Sequence, residues 1–166
     1  MRSGFTLVEM LVCISLAIML TSYALPALST LQLKMTAQSM LTKVQRSVAF
    51  GRHSARLYAT PVTVCPLKQG LCHDDWNQGF SIFIDADRVG ALDSNDELLT
   101  RVAFSHPSDK AMYNRRWLRF DEFGQSFGSN GTLNYCPKGQ KAFSKQLIVS
   151  NTGRTKIGHK SDRPCQ

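Results

Sequence analysis

Catalytic signatures are missing from this chain. It has no Walker loop, no G-x-S-x-G and no HExxH. Its four histidines, His53, His73, His106 and His159, have no nucleophile or carboxylate partner at motif spacing. No internal repeat or low-complexity tract is present, and charged residues make up only 19%. No enzyme activity and no cofactor are therefore expected. A hydrophobic content of 43% with nine Phe, four Tyr and two Trp excludes global disorder. The 166 residues allow one compact domain plus an appendage.

Acid is also missing where base is richest. The formal charge is +8, but residues 1–100 hold eight basic and eight acidic side chains and sum to zero. Residues 101–135 hold five and three, and residues 136–166 hold seven and one. Such a concentration of positive charge at one end implies a polyanionic partner.

The segment 5–25 is apolar except for Thr6, Glu9, Ser15, Thr21, Ser22 and Tyr23. About 20 helical residues cross a bilayer core, so it is long enough to span. A conventional cleaved signal fits poorly. The charged start is only Met1-Arg2-Ser3-Gly4, and Pro26 falls inside the one small-residue site. Glu9 stands out, because a carboxylate in an apolar helix is costly and marks a functional position.

Gly4-Phe5-Thr6-Leu7-Val8-Glu9 resembles the class III signal of type IV pilins and type II secretion pseudopilins, and Pro26 falls where those proteins carry a helix-breaking proline. The resemblance implies cleavage by a prepilin peptidase between Gly4 and Phe5, with Phe5 then N-methylated. It implies an inner-membrane, single-pass protein with a periplasmic head, later carried to the cell surface in a pilus. It also implies partners among other pilins through the N-terminal helix. Glu9 would pair there with the free amino group of a neighbouring Phe5, and Pro26 would loosen the helix for its move from lipid to filament. Leaving that buried charge unpaired would cost roughly 3–5 kcal/mol.

Leu33, Ala37, Met40, Leu41, Val44 and Val48 recur at three- and four-residue steps. A single helix over 6–56 is expected, its second half amphipathic and packed on a head. Arg52 and Arg56 read as cations favoured by the dipole at its C-terminal turns. After Pro61 short strands are expected at 62–65, 80–85, 98–104, 117–120, 133–136, 146–150 and 154–157, with polar loops at 69–78 and 109–116. The fold class is α+β: a long N-terminal helix, its first half transmembrane, packed on antiparallel β-sheets. The expected divisions are a cleaved leader at 1–4, a membrane and filament-core helix at 5–28, and a head at 29–166.

Val62-Thr63-Val64-Cys65, Trp76-Asn77-Gln78-Gly79-Phe80, Ile84-Asp85-Ala86-Asp87 and Leu147-Ile148-Val149-Ser150-Asn151-Thr152-Gly153-Arg154 resemble the GspH/FimT group of minor pilins and pseudopilins. This implies two antiparallel sheets beside the helix and a low-copy component.

Cys13 reads as a small apolar filler in the membrane helix. The other four cysteines belong to an exported head and favour disulfides. Three pairings are possible, and sequence order favours Cys65–Cys72 and Cys136–Cys165. A zinc site of Cys72, His73 and Cys136 matches no common ligand spacing. The run from Asp85 and Asp87 to Asp96 and Glu97 partly mimics a calcium loop, but Val89 stands at the fifth position and Asp96 at the twelfth. It reads as a solvated turn, and no metal is expected.

Ser150-Asn151-Thr152-Gly153 reads as a tight turn before a strand on which Arg154 and Lys156 share a face. Lys145, Lys160, Lys141 and Arg163 are expected to extend this ridge, with Arg115 and Arg116 as a second contributor beside Lys110 and Arg119. Trp117 is expected in the core. Gly153-Arg154-Thr155-Lys156 resembles the Gly-Arg-x-Arg ending of FimT proteins, with Lys156 in place of the second Arg. Lys keeps the charge and loses the bidentate fork. The resemblance implies binding of double-stranded DNA for uptake in natural transformation, and with no base-reading element visible in the sequence this binding is expected to be independent of sequence. The alternative is a structural minor pilin or type II secretion pseudopilin that primes or caps assembly without binding DNA.

Overall fold

The computed structural model describes residues 6–158 and Cys165. Helix α1 (Leu7–Tyr58) is followed by ten short strands. Thr6 caps the helix, its Oγ1 accepting the Glu9 backbone N–H at 3.3 Å. Glu9 therefore lies in the first turn, where the positive end of the helix dipole favours a carboxylate. Pro26 lies inside the helix without ending it.

The chain falls into two compact units divided between Met35 and Thr36. In the first, Leu7, Leu11, Ile14, Leu16, Ile18 and Leu20 are exposed. The helix here is long and apolar enough to cross a membrane. In the second unit α1 is amphipathic. Ala37, Met40, Leu41, Val44, Val48 and Ala55 are buried. Each buried leucine or valine contributes on the order of 1.5–3 kcal/mol. Gly51 brings the helix close to the sheet, since a Cβ there would stand 3.0 Å from the Ile82 side chain.

Two four-stranded antiparallel sheets form this second unit. The first orders β5 (Glu97–Val102), β4 (Phe80–Ile84), β1 (Val62–Cys65) and β7 (Leu118–Phe120). The second orders β10 (Thr155–Gly158), β9 (Lys145–Val149), β8 (Gly131–Cys136) and β6 (Lys110–Tyr113). A small hairpin pairs β2 (Leu67–Lys68) with β3 (Leu71–Cys72). The inner faces supply Val62, Val64, Ile82, Phe120, Leu133, Tyr135 and Leu147 to the core shared with the helix.

Three strands fall where loops or connections were expected. β6 lies inside the expected loop 109–116, β3 inside 69–78, and β2 in the connection just before it. In β6 only Ala111 and Tyr113 point inward. That is too few apolar positions to register against the charged residues on both sides. Trp76, also in an expected loop, is buried in a short 3₁₀ turn and packs on Phe80 and Tyr113.

Disulfides join Cys65 to Cys72 and Cys136 to Cys165, with Cα atoms 5.5 and 6.0 Å apart. Cys72 and Cys136 thus belong to different bridges, which removes them as partners of His73 in a zinc site.

Candidate nucleic-acid interface

The turn between β9 and β10 is held at every step. The Gly153 N–H donates to the Ser150 carbonyl at 2.8 Å, and the Ser150 N–H to the Arg154 carbonyl at 2.9 Å. The Arg154 N–H reaches Ser150 Oγ at 3.2 Å. Ser126 ties the turn to the β7–β8 loop, its N–H donating to Asn151 and its hydroxyl to the Ser150 carbonyl. Both backbone polar groups of Arg154 are therefore fixed, while its side chain is exposed. Gly153 has φ +73°, a left-handed conformation that favours glycine.

Strand register sorts the expected cations. Lys156 pairs with Ile148, and both are exposed on the outer face. Thr155 pairs with buried Val149 and receives the Gln45 side-chain amide of α1 at 3.3 Å on its carbonyl. Lys145 shares its face of β9 with buried Leu147 and Val149. Its ammonium binds the Gln38 side-chain oxygen on α1. The structure therefore does not extend the Lys156 face through Lys145. The two-residue repeat places Lys145 on the opposite side of the sheet. Lys141 is exposed in the turn Lys141–Phe143. Lys160 and Arg163 lie outside the described residues.

The second expected cluster is largely committed to holding the fold. Arg115 donates from Nε to the Asn130 carbonyl at 2.7 Å. Arg116 donates twice to the Cys72 carbonyl, at 3.2 and 3.0 Å. Arg119 pairs with the fully buried Asp85 at 2.8 Å and also donates to Thr63 Oγ1. The guanidinium carbons of Arg116 and Arg119 lie 5.6 and 5.2 Å from the Trp117 ring centroid. Trp117 packs half-buried against the small cluster of Cys65, Cys72 and Phe83. It is clamped by these cations and is not a free stacking platform.

The acidic loop does gather Asp85, Asp87 and Asp96. Burial holds the Asp96 carboxyl above the ordinary carboxylate range, and the charges of Asp93 and Asp85 add to the effect. Asp85, however, is filled by Arg119, by the Thr63 hydroxyl at 2.5 Å and by the Gly90 N–H at 3.3 Å. It is a structural carboxylate.

Sequence reasoning places Arg52 and Arg56 at the end of α1 but does not assign them, or His53, to a site. Arg52, His53 and Arg56 line an open cleft of about 410 Å³ together with Ala49, Gly153 and Arg154. Among the described residues no carboxylate lines it. The signal was present in the sequence. Residues 10–73 contain no acid at all, and the zero balance of residues 1–100 conceals this by adding the acidic run 74–97.

The sequence profile of the family described as Type II transport protein GspH matches residues 41–153, more than half of the chain. The chain belongs to the GspH family. No curated protein matches it in sequence. Among solved structures it is similar to the type IV minor pilin FimU of Pseudomonas aeruginosa in two crystal forms. The P21 form has a TM-score of 0.60 at 20% identity, covering 82% of this chain and 95% of FimU. The P65 form has 0.59 at 21%, covering 76% and 96%. These likenesses show the fold, a long N-terminal helix packed on antiparallel sheets. Family membership makes this GspH-family protein pilin-like, of the minor pilin or pseudopilin kind.

Proposed function

We propose that this chain is a minor type IV pilin, closest in role to FimT proteins, whose head holds double-stranded DNA for uptake in natural transformation. The observation that carries the reading is the pinned turn 150–154, which presents an exposed Arg154 beside an exposed Lys156. A cation on an immobile backbone meets phosphate with little ordering cost. Among the described residues no base-reading element accompanies it, so binding is through phosphates and independent of sequence. One head binds weakly, with Kd on the order of 10⁻⁴–10⁻⁶ M. Several copies along a fibre raise this by avidity.

In this reading residues 1–4 are a leader removed by prepilin peptidase. Gly4 and Phe5, the cleavage pair, lie outside the described residues. The apolar first half of α1 anchors the protein in the inner membrane and then enters the filament core beside other pilins. Glu9 and Pro26 serve that transfer. The head begins near residue 29.

The competing reading is a pseudopilin or structural minor pilin, favoured by the exposed apolar surface of the helix between Leu7 and Leu31. Duplex-DNA mobility shifts at low salt separate the two. The wild type is expected to retard DNA, and an Arg154→Gln/Lys156→Gln variant to lose most of that retardation. Equal binding by both, or none by either, leaves the assembly role. In cells the same variant is expected to lose transformation while keeping its pili.

A further inference from the structure

The cleft at the end of α1 is unlike the rest of the basic surface. Two arginines and a histidine from α1 and one arginine from the β9–β10 turn line it, with no carboxylate among the described residues. Among the described residues, the side chains of His53, Arg56 and Arg154 have no hydrogen-bond or ion-pair partner. Arg52 is different. Its Nε–H is spent on the Gly124 carbonyl at 2.8 Å. It acts as a wall, pinning the β7–β8 loop beneath the cleft.

Unpaired cations held near one another repel, and helices rarely gather them without a counter-charge. The negative end of the helix dipole relieves part of this, but it amounts to only about half an elementary charge. Three full guanidinium charges outweigh it. The positive potential that remains suits one strong, compact anion. Arginine offers parallel N–H donors that match phosphate oxygens.

We propose that this cleft seats a backbone phosphodiester of the bound DNA, gripped by Arg56 and His53 from the helix and by Arg154 from the turn. The proposal rests on the DNA-binding reading and adds the helix to the site. Ala49, Arg52, His53 and Arg56 stand at i, i+3, i+4 and i+7 and so share one face of α1. That face leads the DNA backbone from the β-hairpin onto the helix.

The test uses the full chain in detergent and a labelled duplex followed by fluorescence anisotropy across a salt series. Arg56→Gln/His53→Gln is expected to raise Kd about tenfold. The slope of log K against log[salt] is expected to become shallower by about 0.9 for each phosphate that is no longer neutralised. Arg56→Lys keeps the charge and loses the fork, so it is expected to keep the wild-type salt slope and to weaken binding less than Arg56→Gln/His53→Gln, which separates loss of charge from loss of fold. Wild-type affinity and slope in Arg56→Gln/His53→Gln overturn the cleft. So does Arg56→Lys losing as much affinity and salt slope as Arg56→Gln/His53→Gln. If the cleft variant binds normally while Arg154→Gln/Lys156→Gln does not, the helix is excluded and the proposed function stands. If the wild type binds no DNA, both readings fall.

Discussion

Arg52 donates its Nε–H to the Gly124 carbonyl at 2.8 Å, and a Cβ added to Gly153 would fall 2.2 Å from that same oxygen. Helix, β7–β8 loop and β9–β10 turn therefore meet at one point with no space to spare. Gly153→Ala must adopt a left-handed conformation, at about 1–2 kcal/mol. It must also push the Gly124 carbonyl off Arg52, losing a charged hydrogen bond of roughly 1.5–3 kcal/mol. Together these give an expected loss of about 2.5–5 kcal/mol in urea unfolding. DNA affinity is expected to fall as well, although no charge has been removed.

Asp85 and Arg119 form the one buried ion pair among the described residues. The carboxylate belongs to the end of β4 and the guanidinium to β7, with Thr63 of β1 bridging both. Deleting one partner leaves the other charge buried and unmatched. Arg119→Ala is expected to cost roughly 3–5 kcal/mol. Equilibrium denaturation checks it. A cost under about 1 kcal/mol would mean the pair behaves as a surface bridge.

Much of this architecture was readable in advance, for reasons that also explain the gaps. The helix and seven strands carry strong local periods, as in Ala37, Met40, Leu41, Val44 and Val48. The pairing of Arg119 with Asp85 spans 34 positions, and no local pattern encodes it. Thus Arg119 looked like surface charge beside Arg115 and Arg116, where the fold makes it a core clamp. The face that Lys145 occupies turns on parity. One step along β9 turns a side chain from the outer face to the helix side, and the strand's first residue fixes which. Arg52 and Arg56 were read as helix-end cations. Only the arrival of Gly153 and Arg154 from 97 or more positions away turns them into the wall of a cleft.

Two buried phenols make the head sensitive to alkali. Burial raises the Tyr113 hydroxyl well above its ordinary range, with the Arg115 charge opposing. Burial raises Tyr135 likewise, helped by its hydrogen bond to Asp109 at 2.8 Å and by that carboxylate's charge. A raised phenol favours the protonated folded state. Its contribution is complete below about pH 10, the unfolded value, and is lost as pH climbs from there toward the folded value. Each such group contributes up to about 1.4 kcal/mol per pH unit to the decline. Tyr135→Phe is expected to be less stable at neutral pH, because Asp109 loses a donor. It should also show a shallower fall in stability above pH 10. An unchanged slope would mean Tyr135 ionises while folded.

The two disulfides should differ in weight, because they close loops of different length. Cys65 and Cys72 are 7 positions apart, and Cys136 and Cys165 are 29 apart. Chain-entropy arithmetic gives about 2.5 kcal/mol for the short loop and about 3.6 kcal/mol for the long one. The long one also ties Cys165 to Cys136 at the end of β8, closing the covalent loop that contains the β9–β10 turn. Cys136→Ser/Cys165→Ser is therefore expected to cost more stability than Cys65→Ser/Cys72→Ser in thermal unfolding. It is also expected to weaken DNA binding at equal charge, since freeing the segment adds an ordering cost on association. Equal affinity in the two cysteine variants, each measured well below its melting temperature, would show that the closed loop contributes only to the fold.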